Sequence, residues 1–231
     1  MKKFLLICFA IFTIAVITSC KKSGNNPKPQ PDPDPIPVVV DSLKVGLIAY
    51  YPFNNNGIDS SGHDNNVTVT SNIISTANRF SKSNSALSFN GTDSYLSVKD
   101  NEELRLNNTD VTVSLWVRID GYNGSVGSNL LAKHIAGADN GWTMGIGGTG
   151  GTGLAGNITF GPGGGSVHAR GTQFVSMGEW HMLTTTYDKV NKKLSIYLDG
   201  VLDNITESMP SPNGAITSDL YIGINNCCLS R

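Results

Sequence analysis

The carboxylates of this chain lack the spacing that acid–base catalysis on a sugar would need. Glycoside hydrolysis uses two carboxyl groups about 5–10 Å apart, one of which acts as the acid. The glutamates, which lie in turns or at strand ends, are Glu102, Glu103, Glu179 and Glu207. A pair of aspartates from separate loops stays open as an alternative, but no spacing favours one. The sequence therefore predicts a protein that is not an enzyme.

The histidines and the glycine-rich stretch do not have the context of a metal or nucleotide site. His63, His134, His168 and His181 lack the close spacing of zinc ligands. Residues 145–150 match the pattern Gly-x-Gly-x-x-Gly, but no helix follows to direct its N-terminus at a phosphate. We interpret the histidines as satisfied or exposed side chains and the glycines as part of a hairpin region.

Turns rich in Asp and Asn are the candidates for binding. Carboxylate, amide and backbone groups recognise sugar hydroxyls, and Ca²⁺ takes about six to eight oxygen ligands of the same kinds. The candidate ligand-binding residues in these turns are Asp59, Asn66, Asp93, Tyr95, Asn140 and Trp142. The candidate Ca²⁺ ligands are Asp59, Asp93 and Asp139. The alternative interpretation is that Asp, Asn and Gly simply make turns here.

Trp116 is a further candidate because of its position on a strand. Residues 111–119 alternate strictly, with aliphatic side chains at the odd positions and Thr112, Ser114, Trp116 and Arg118 at the even ones. In a two-layer sandwich this parity places Trp116 on the outer face of its sheet. There the ring is either a platform for a sugar or a side chain covered by a crossing loop.

The elements that would position these residues are short strands joined by turns. Asp199-Gly200 between two alternating segments indicates a hairpin. The predicted strands are 46–53, 66–70, 85–90, 94–98, 111–119, 129–135, 142–146, 157–160, 180–187, 193–199, a segment from Val201 onward, and 219–224. Since no segment has the period of an amphipathic helix, the sequence predicts an all-β, two-sheet antiparallel sandwich or jelly roll.

The N-terminal region has the pattern of a targeting signal followed by an extended tether. In residues 1–19 a basic start precedes an apolar run that is too short to span a bilayer and ends in small residues. This pattern, with Cys20 after it, resembles a bacterial lipobox, in which Cys20 becomes the lipidated first residue. The alternative is an ordinary signal peptide with an incidental Cys. Residues 20–42 form the predicted tether, in which Pro occupies every second position from Pro27 to Pro37 and favours an extended polyproline II conformation.

The charge and the cysteine content limit the class of partner and the number of disulfides that the chain can have. The chain has 17 basic and 18 acidic residues, which excludes an electrostatic binder of nucleic acid. Loss of residues 1–19 removes two lysines and leaves 15 basic against 18 acidic residues. Cys8 is lost with the signal and Cys20 carries lipid, so only the adjacent pair 227–228 remains. The fold must therefore rest on a hydrophobic core rather than on disulfides.

Six motifs in order carry a resemblance to a known family. The first is Gly46-Leu-Ile-Ala-Tyr-Tyr-Pro-Phe53 with 59–66, and the others are 85–98, 111–118, 180–188, 194–200 and 220–223. Over about residues 45–224 the chain resembles the laminin-G-like, concanavalin A-like lectin/glucanase jelly roll. The resemblance implies that fold, and in some family members a Ca²⁺ site. It does not imply one function, because lectins, glycosidases and adhesive modules share the fold.

The C-terminus departs from the family pattern. In the family a strand of the type Gly-x-Ile-Asp-Asp-Val-x-Ile-Tyr follows the last motif, whereas this sequence stops at Arg231. The resemblance implies that this strand lies beside the first one, near 47–53. We expect the domain, residues 43–231, to lack its final strand. Truncation is the favoured explanation, and a strand-donating partner at the open sheet edge is the alternative.

These observations together predict a binding protein of the cell surface. We expect a non-catalytic module, anchored by lipid to the bacterial cell envelope and specifically to the outer membrane. Its expected partner is extracellular carbohydrate, with Ca²⁺ as a candidate cofactor. The alternatives are an adhesive or structural module that binds surface protein and, third, a glycoside hydrolase.

Overall fold

The chain folds into antiparallel strands linked by turns and loops. The computed structural model describes residues 42–122, 127–135, 141–147, 156–162, 168–211 and 216–224. Its strands are β1 (Val67–Ser71), β2 (Ile74–Thr76), β3 (Ala86–Ser88), β4 (Tyr95–Val98), β5 (Val111–Arg118), β6 (Ser128–Lys133), β7 (Trp142–Ile146), β8 (Asn157–Pro162), β9 (Ala169–Phe174), β10 (Trp180–Asp188), β11 (Lys193–Leu198), β12 (Val201–Thr206) and β13 (Leu220–Ile222). The only helical elements in these residues are two 3₁₀ turns, Ser42–Lys44 and Glu102–Arg105. The predicted all-β class is confirmed.

Two sheets form the sandwich. The seven-stranded sheet has the order β1-β4-β13-β6-β7-β8-β9, and the four-stranded sheet has the order β12-β11-β10-β5. β2 and β3 pair with each other in a separate two-stranded sheet. Neighbours that are distant in sequence, such as β5 beside β10 and β4 beside β13, are antiparallel. Such crossovers are the connections that a jelly roll uses to join its sheets.

Alternating apolar side chains from both sheets meet in one core. Leu183 of β10 and Ile196 of β11 are fully buried on the four-stranded sheet. Met144 of β7 and Ile158 of β8 are fully buried in the same cluster on the seven-stranded sheet. Burying one such side chain stabilises the fold by about 1.5–3 kcal/mol. The inward positions agree with the period-two pattern of the sequence.

Side chains close one side of the sandwich, where the edge strands β9 and β12 meet. The Asp203 carboxylate accepts hydrogen bonds from the N–H groups of Thr172 at 3.0 Å and Gln173 at 3.1 Å, and from the Thr172 hydroxyl at 2.6 Å. Gly171 permits this approach, because a Cβ there would lie 2.2 Å from Asp203 Oδ2. The sequence did not predict β9, since Gly171 and its polar neighbours interrupt the alternation.

Residues 46–53 do not join a sheet, so the prediction of a strand there is wrong for the described structure. Side chains hold this segment instead. The Asn65 amide donates to the Ile48 carbonyl at 2.8 Å, and the Tyr51 hydroxyl donates to the Asn65 carbonyl at 2.6 Å. A strand needs a neighbour that pairs its backbone, and residues 46–53 have none in the described structure. In the part of the chain that the structure describes, the four-stranded sheet therefore ends at β5.

Candidate functional site on the outer face of the four-stranded sheet

Trp116 lies on the outer face of the four-stranded sheet. Along β5 the exposure of side chains alternates, with Val111 buried and Thr112, Ser114 and Trp116 exposed. The Trp116 side chain is 43% exposed, which agrees with the parity of the sequence. This face therefore presents an aromatic ring to solvent.

The loop between β2 and β3 crosses onto Trp116. Asn78 shapes the turn in this loop, because its Oδ1 accepts the N–H groups of Phe80 at 2.9 Å and Lys82 at 3.1 Å. The guanidinium carbon of Arg79 lies 4.3 Å from the Trp116 ring centroid and 4.2 Å from that of Phe80. The crossing-loop alternative therefore describes Trp116 in part, since Arg79 contacts the ring but leaves it half-exposed.

Hydroxyl groups continue the same face beside Trp116. In the pairing of β5 with β10, Ser114 lies opposite Thr184 and Thr112 lies opposite Thr186. The Ser114 and Thr184 hydroxyls form a hydrogen bond of 2.8 Å. An aromatic ring, a guanidinium and a row of hydroxyls suit a ligand that is itself rich in hydroxyl groups.

The loop from Asp59 to Asn66 is tied internally. Asp59 Oδ1 accepts the N–H groups of Tyr50 at 2.8 Å and Ser61 at 2.9 Å, and Oδ2 accepts the Ser61 hydroxyl at 2.7 Å and the Asn65 N–H at 3.0 Å. The Asn66 amide oxygen accepts the Asp59 N–H at 2.8 Å. Burial raises the pKa of the Asp59 carboxyl, but these bonds outweigh burial and hold the pKa below its usual value. Asp59 is 8% exposed with both oxygens occupied, so it does not fit the predicted Ca²⁺ role.

Asp93 and Tyr95 lie near each other at the start of β4. The two oxygens of Asp93 accept from the side-chain amides of Asn72 and Asn90, each at 2.7 Å. The Tyr95 ring packs against Tyr221 with centroids 6.2 Å apart. Among the described residues no group of three or more His, Cys, Asp or Glu is placed to hold a metal ion. The geometry around Asp93 is therefore that of a hydrogen-bonded turn.

Trp142 is a core residue, which corrects its interpretation as a ligand-binding side chain. It is 3% exposed, its indole N–H donates to the Leu104 carbonyl at 2.9 Å, and its ring stacks on Phe160 with centroids 6.0 Å apart. A ring enclosed in this way has no face for a ligand. The neighbouring candidates Asp139 and Asn140 lie outside the described residues.

A cleft of about 370 Å³ lies beside the start of β5, and its lining includes Glu102, Glu103 and Asp110. Glu103 pairs with His63 at 2.8 Å, and Asp110 accepts the Lys189 N–H at 2.9 Å. At most one of these three carboxylates is thus without a partner in the described part of the chain. The cleft is therefore an acidic surface on which two carboxylates are engaged in hydrogen bonds.

The sequence did not reveal a polar chain around His181. Its Nδ1 is 2.8 Å from Asp199 Oδ2, and its Nε2 is 2.9 Å from the Ser176 hydroxyl. The order Ser, His, Asp is that of a nucleophile relay, but the Ser176 hydroxyl also donates to Glu179 at 3.0 Å. Asp199 further accepts the Met182 N–H at 2.7 Å. These bonds fix the β11–β12 turn to the start of β10, so His181 is a satisfied residue, as the sequence predicts.

Cys20 and the tether precede the described residues, so the lipid anchor stays a prediction. Within the part of the chain that the structure covers, no helix is long and apolar enough to cross a bilayer. That finding concerns the folded domain and leaves the anchor untested.

The sheet order and the exposed outer face define the chain as an antiparallel β-sandwich module whose aromatic and hydroxyl groups lie on a sheet surface. A laminin-G-type family model, described as the concanavalin A-like lectin/glucanases superfamily, matches residues 90–228. The chain belongs to this family, as the resemblance of its motifs indicates. A search of curated protein sequences finds no match.

Three solved structures illustrate the shared fold. The binding domain of Paraclostridial Mosquitocidal Protein 1 has a TM-score of 0.63 and 17% identity, covering 80% of this chain and 46% of that one. Domain 4 of AbnA, a GH43 extracellular arabinanase from Geobacillus stearothermophilus solved with arabinotriose, has a TM-score of 0.51 and 22% identity, covering 78% and 84%. The binding domain of botulinum neurotoxin DC, solved with rat synaptotagmin II, has a TM-score of 0.58 and 14% identity, covering 79% and 44%.

These similarities concern the fold. The chain spans less than half the length of the two toxin structures that it matches. Both structures are described as binding domains. What any of the three binds is a property of that protein.

Proposed function

We propose that the chain is a non-catalytic, cell-envelope-anchored module that binds extracellular carbohydrate through the outer face of its four-stranded sheet. The observation that carries the proposal is the half-exposed Trp116 ring beside hydroxyls on the same face. Carbohydrate presents hydroxyls together with C–H surface, and such a face offers partners for both. A domain of the same fold solved with arabinotriose supports the ligand class.

We propose Ca²⁺ as a candidate cofactor of carbohydrate binding. Asp59 and Asp93 each use both carboxylate oxygens in hydrogen bonds, so a Ca²⁺-assisted site would need the exposed Asp93 to exchange its bonds from Asn72 and Asn90 for the ion. Oxygen ligands of this kind suit Ca²⁺ when loop carbonyls and water complete its shell. Binding is therefore to be measured with Ca²⁺ and with a chelator.

The test is a glycan array probed with the purified full-length chain in detergent, with and without Ca²⁺. We expect binding to a defined set of glycans, and at least a tenfold loss of affinity for Trp116→Ala. Tyr50→Ala is the matched control, because Tyr50 is an exposed aromatic in the segment 46–53, which is not part of the four-stranded sheet. Trp116 points outward, so its replacement should leave the thermal unfolding temperature within a few degrees of the parent.

A folded chain that binds no glycan in either condition would contradict the proposal. Binding that Trp116→Ala leaves unchanged would contradict the assignment of the face. Release of reducing sugar from a bound glycan would contradict the non-catalytic part.

The anchor has its own test. Radiolabelled palmitate should be incorporated by the parent chain and not by Cys20→Ser, which should leave the membrane fraction. A parent chain that takes up no label would contradict lipidation at Cys20 and favour the ordinary signal peptide.

A strand-donating protein partner is the second candidate function. It is favoured by β5, an eight-residue strand with no further strand beside it in the described structure. Strand addition to a sheet edge pairs backbone groups that are otherwise unpaired. A partner recovered by cross-linking on cells should slow amide exchange in residues 111–118, and unchanged exchange there would rule this mode out.

A further inference from the structure

Arg79 is a charged group whose role the general proposal of carbohydrate binding leaves open. Its guanidinium carbon lies over two rings, at 4.2 Å from the Phe80 centroid and 4.3 Å from the Trp116 centroid. Ring contact engages the flat face of a guanidinium, whereas its N–H donors point outward in the plane. The group is therefore held by apolar contacts, with its hydrogen-bonding edge still available.

No acidic side chain neutralises Arg79 among the residues described, since none forms an ion pair with it there. Arg118, on the same face of β5, is in contrast paired with Asp120 at 3.0 Å. Lys82 adds a second positive charge to the turn that carries Arg79. In the described part of the chain, the face around Trp116 thus carries a positive charge that no acidic side chain balances.

The turn that carries Arg79 is well determined. The Asn78 side chain accepts two N–H groups of the turn, and the Asn78 backbone N–H donates to the Lys82 carbonyl at 3.0 Å. Ser81 N–H donates to the Asn78 carbonyl at 2.9 Å, and Ser81 adopts a φ of 60°. Since these bonds fix the backbone, Arg79 is directed at Trp116 by local structure.

We propose that this face takes an acidic saccharide, with Arg79 binding the carboxylate of a uronic acid residue. The inference rests on the proposed function and names its ligand class. A planar fork of N–H donors matches the two oxygens of a carboxylate, and a charge held against aromatic rings needs little reorganisation to bind it. The hydroxyls of Ser114 and Thr184 lie along the same face, where the neighbouring hydroxyls of the sugar chain would meet them.

The test compares two probes of equal length, tri-galacturonic acid and its carboxyl-reduced trimer, by calorimetry with the full-length chain in detergent at low salt. We expect the acidic trimer to bind at least tenfold more tightly. Arg79→Gln should remove most of this difference without weakening the reduced trimer. Arg79→Lys should restore it only in part, because an ammonium cannot bind a carboxylate through two parallel bonds.

Arg118→Gln is the matched control, since it removes a positive charge from the same face that Asp120 already balances. We expect its affinity for the acidic trimer to stay within threefold of the parent. Near-ultraviolet circular dichroism should show that Arg79→Gln keeps the native fold, as expected for an exposed residue in a loop.

Equal affinity for the two trimers, or no effect of Arg79→Gln, would overturn the inference and leave carbohydrate binding intact. An array on which only neutral or sulfated glycans bind would overturn it in the same way. Arg79-dependent binding of oligoglutamate as tight as that of the acidic trimer would assign the site to acidic peptide instead. Failure of every glycan to bind would contradict the proposed function itself.

Discussion

Replacing Asp100 by Asn should destabilise the fold far more than replacing its buried partner, Lys133, by Met. Lys133 lies on β6 with a fully buried side chain, and its ammonium donates to Asp100 at 2.7 Å and to the Ser218 carbonyl at 2.7 Å. Asp100, 18% exposed, also pairs with Arg105. Removing the carboxylate charge would leave the Lys133 ammonium buried without its hydrogen-bonded counter-ion, with Asp219 as the remaining negative charge near it.

The magnitude follows from that asymmetry. Breaking a buried pair by removing one partner costs about 3–5 kcal/mol, because a buried charge is left uncompensated. Lys133→Met removes the buried charge with little change in volume, and Asp100 keeps Arg105. Its main cost is the Ser218 carbonyl left without this donor, on the order of 1 kcal/mol. We therefore expect Asp100→Asn to exceed Lys133→Met by at least about 2 kcal/mol.

The assay is urea unfolding of the full-length chain in detergent, followed by tryptophan fluorescence at pH 7. A cost of Asp100→Asn below about 1 kcal/mol, or an equal cost for both variants, would refute the reasoning that the buried ammonium governs the effect. The double variant should be no less stable than Asp100→Asn alone. A double variant that shows the sum of the two single costs would refute coupling between the residues.

The pH dependence of the free energy of unfolding tests the same cluster of Asp100, Arg105 and Lys133. The hydrogen bonds from Arg105 lower the pKa of Asp100, burial opposes them, and the bond from Lys133 lowers it further, which brings the pKa to about 2. The folded-state pKa is below the ordinary value, so the stabilisation is present above about pH 4 and is lost as the pH falls towards 2. Its size is about 2 kcal/mol, and Asp100→Asn should lack this part of the acid sensitivity. An identical acid profile for parent and variant would contradict this assignment.

Three further predictions concern the loops and edges. Gly171→Ala should cost about 2 kcal/mol by displacing the Asp203 carboxylate from its hydrogen bonds, measured as a lower urea midpoint, and the effect should vanish in an Asp203→Ala background. Asp59→Asn should cost about 2 kcal/mol at pH 7 by urea unfolding and progressively less below pH 4, where the parent carboxyl loses the advantage of its lowered pKa; a constant cost would contradict this. Amides of β5 should exchange faster than those of β10, which pairs on both sides, and equal protection would show that the β5 edge is covered.

Strands with strict alternation could be predicted from the sequence, and irregular contacts could not. β5 and β11 were predicted because their apolar side chains share one face, and that face is buried in β11 and largely half-buried in β5. The segment 46–53 is also rich in apolar residues but forms no strand, because backbone pairing depends on a neighbour rather than on residue type. Strand β9 was missed for the opposite reason, since a partner imposes the strand on a sequence with a weak pattern.

In the candidate site, too, the positions of strand residues could be predicted from the sequence and the contact made by a loop residue could not. The position of Trp116 on the outer face follows from parity, and so does the burial of Trp142, which shares its parity with Met144 and Ile146. That signal was available, but the polar turn before Trp142 favoured the wrong interpretation. The contact of Arg79 with Trp116 has no sequence signal. Arg79 lies in an irregular loop 37 residues before Trp116, and only the tertiary fold brings the two side chains together.

The energetics of the Arg79 contact explain why it suits a ligand better than a purely structural role. A guanidinium on an exposed ring gains about 0.5–1 kcal/mol, so two rings supply about 1–2 kcal/mol. Fixing an arginine side chain costs about 1.5–2 kcal/mol of conformational entropy, which nearly cancels that gain. The Trp116 ring remains 43% exposed and Phe80 72% exposed, so the contact buries little apolar surface in return. A stack so close to balance stabilises the fold hardly at all, and a ligand carboxylate that binds the stacked guanidinium would supply the stabilisation that the two rings alone do not.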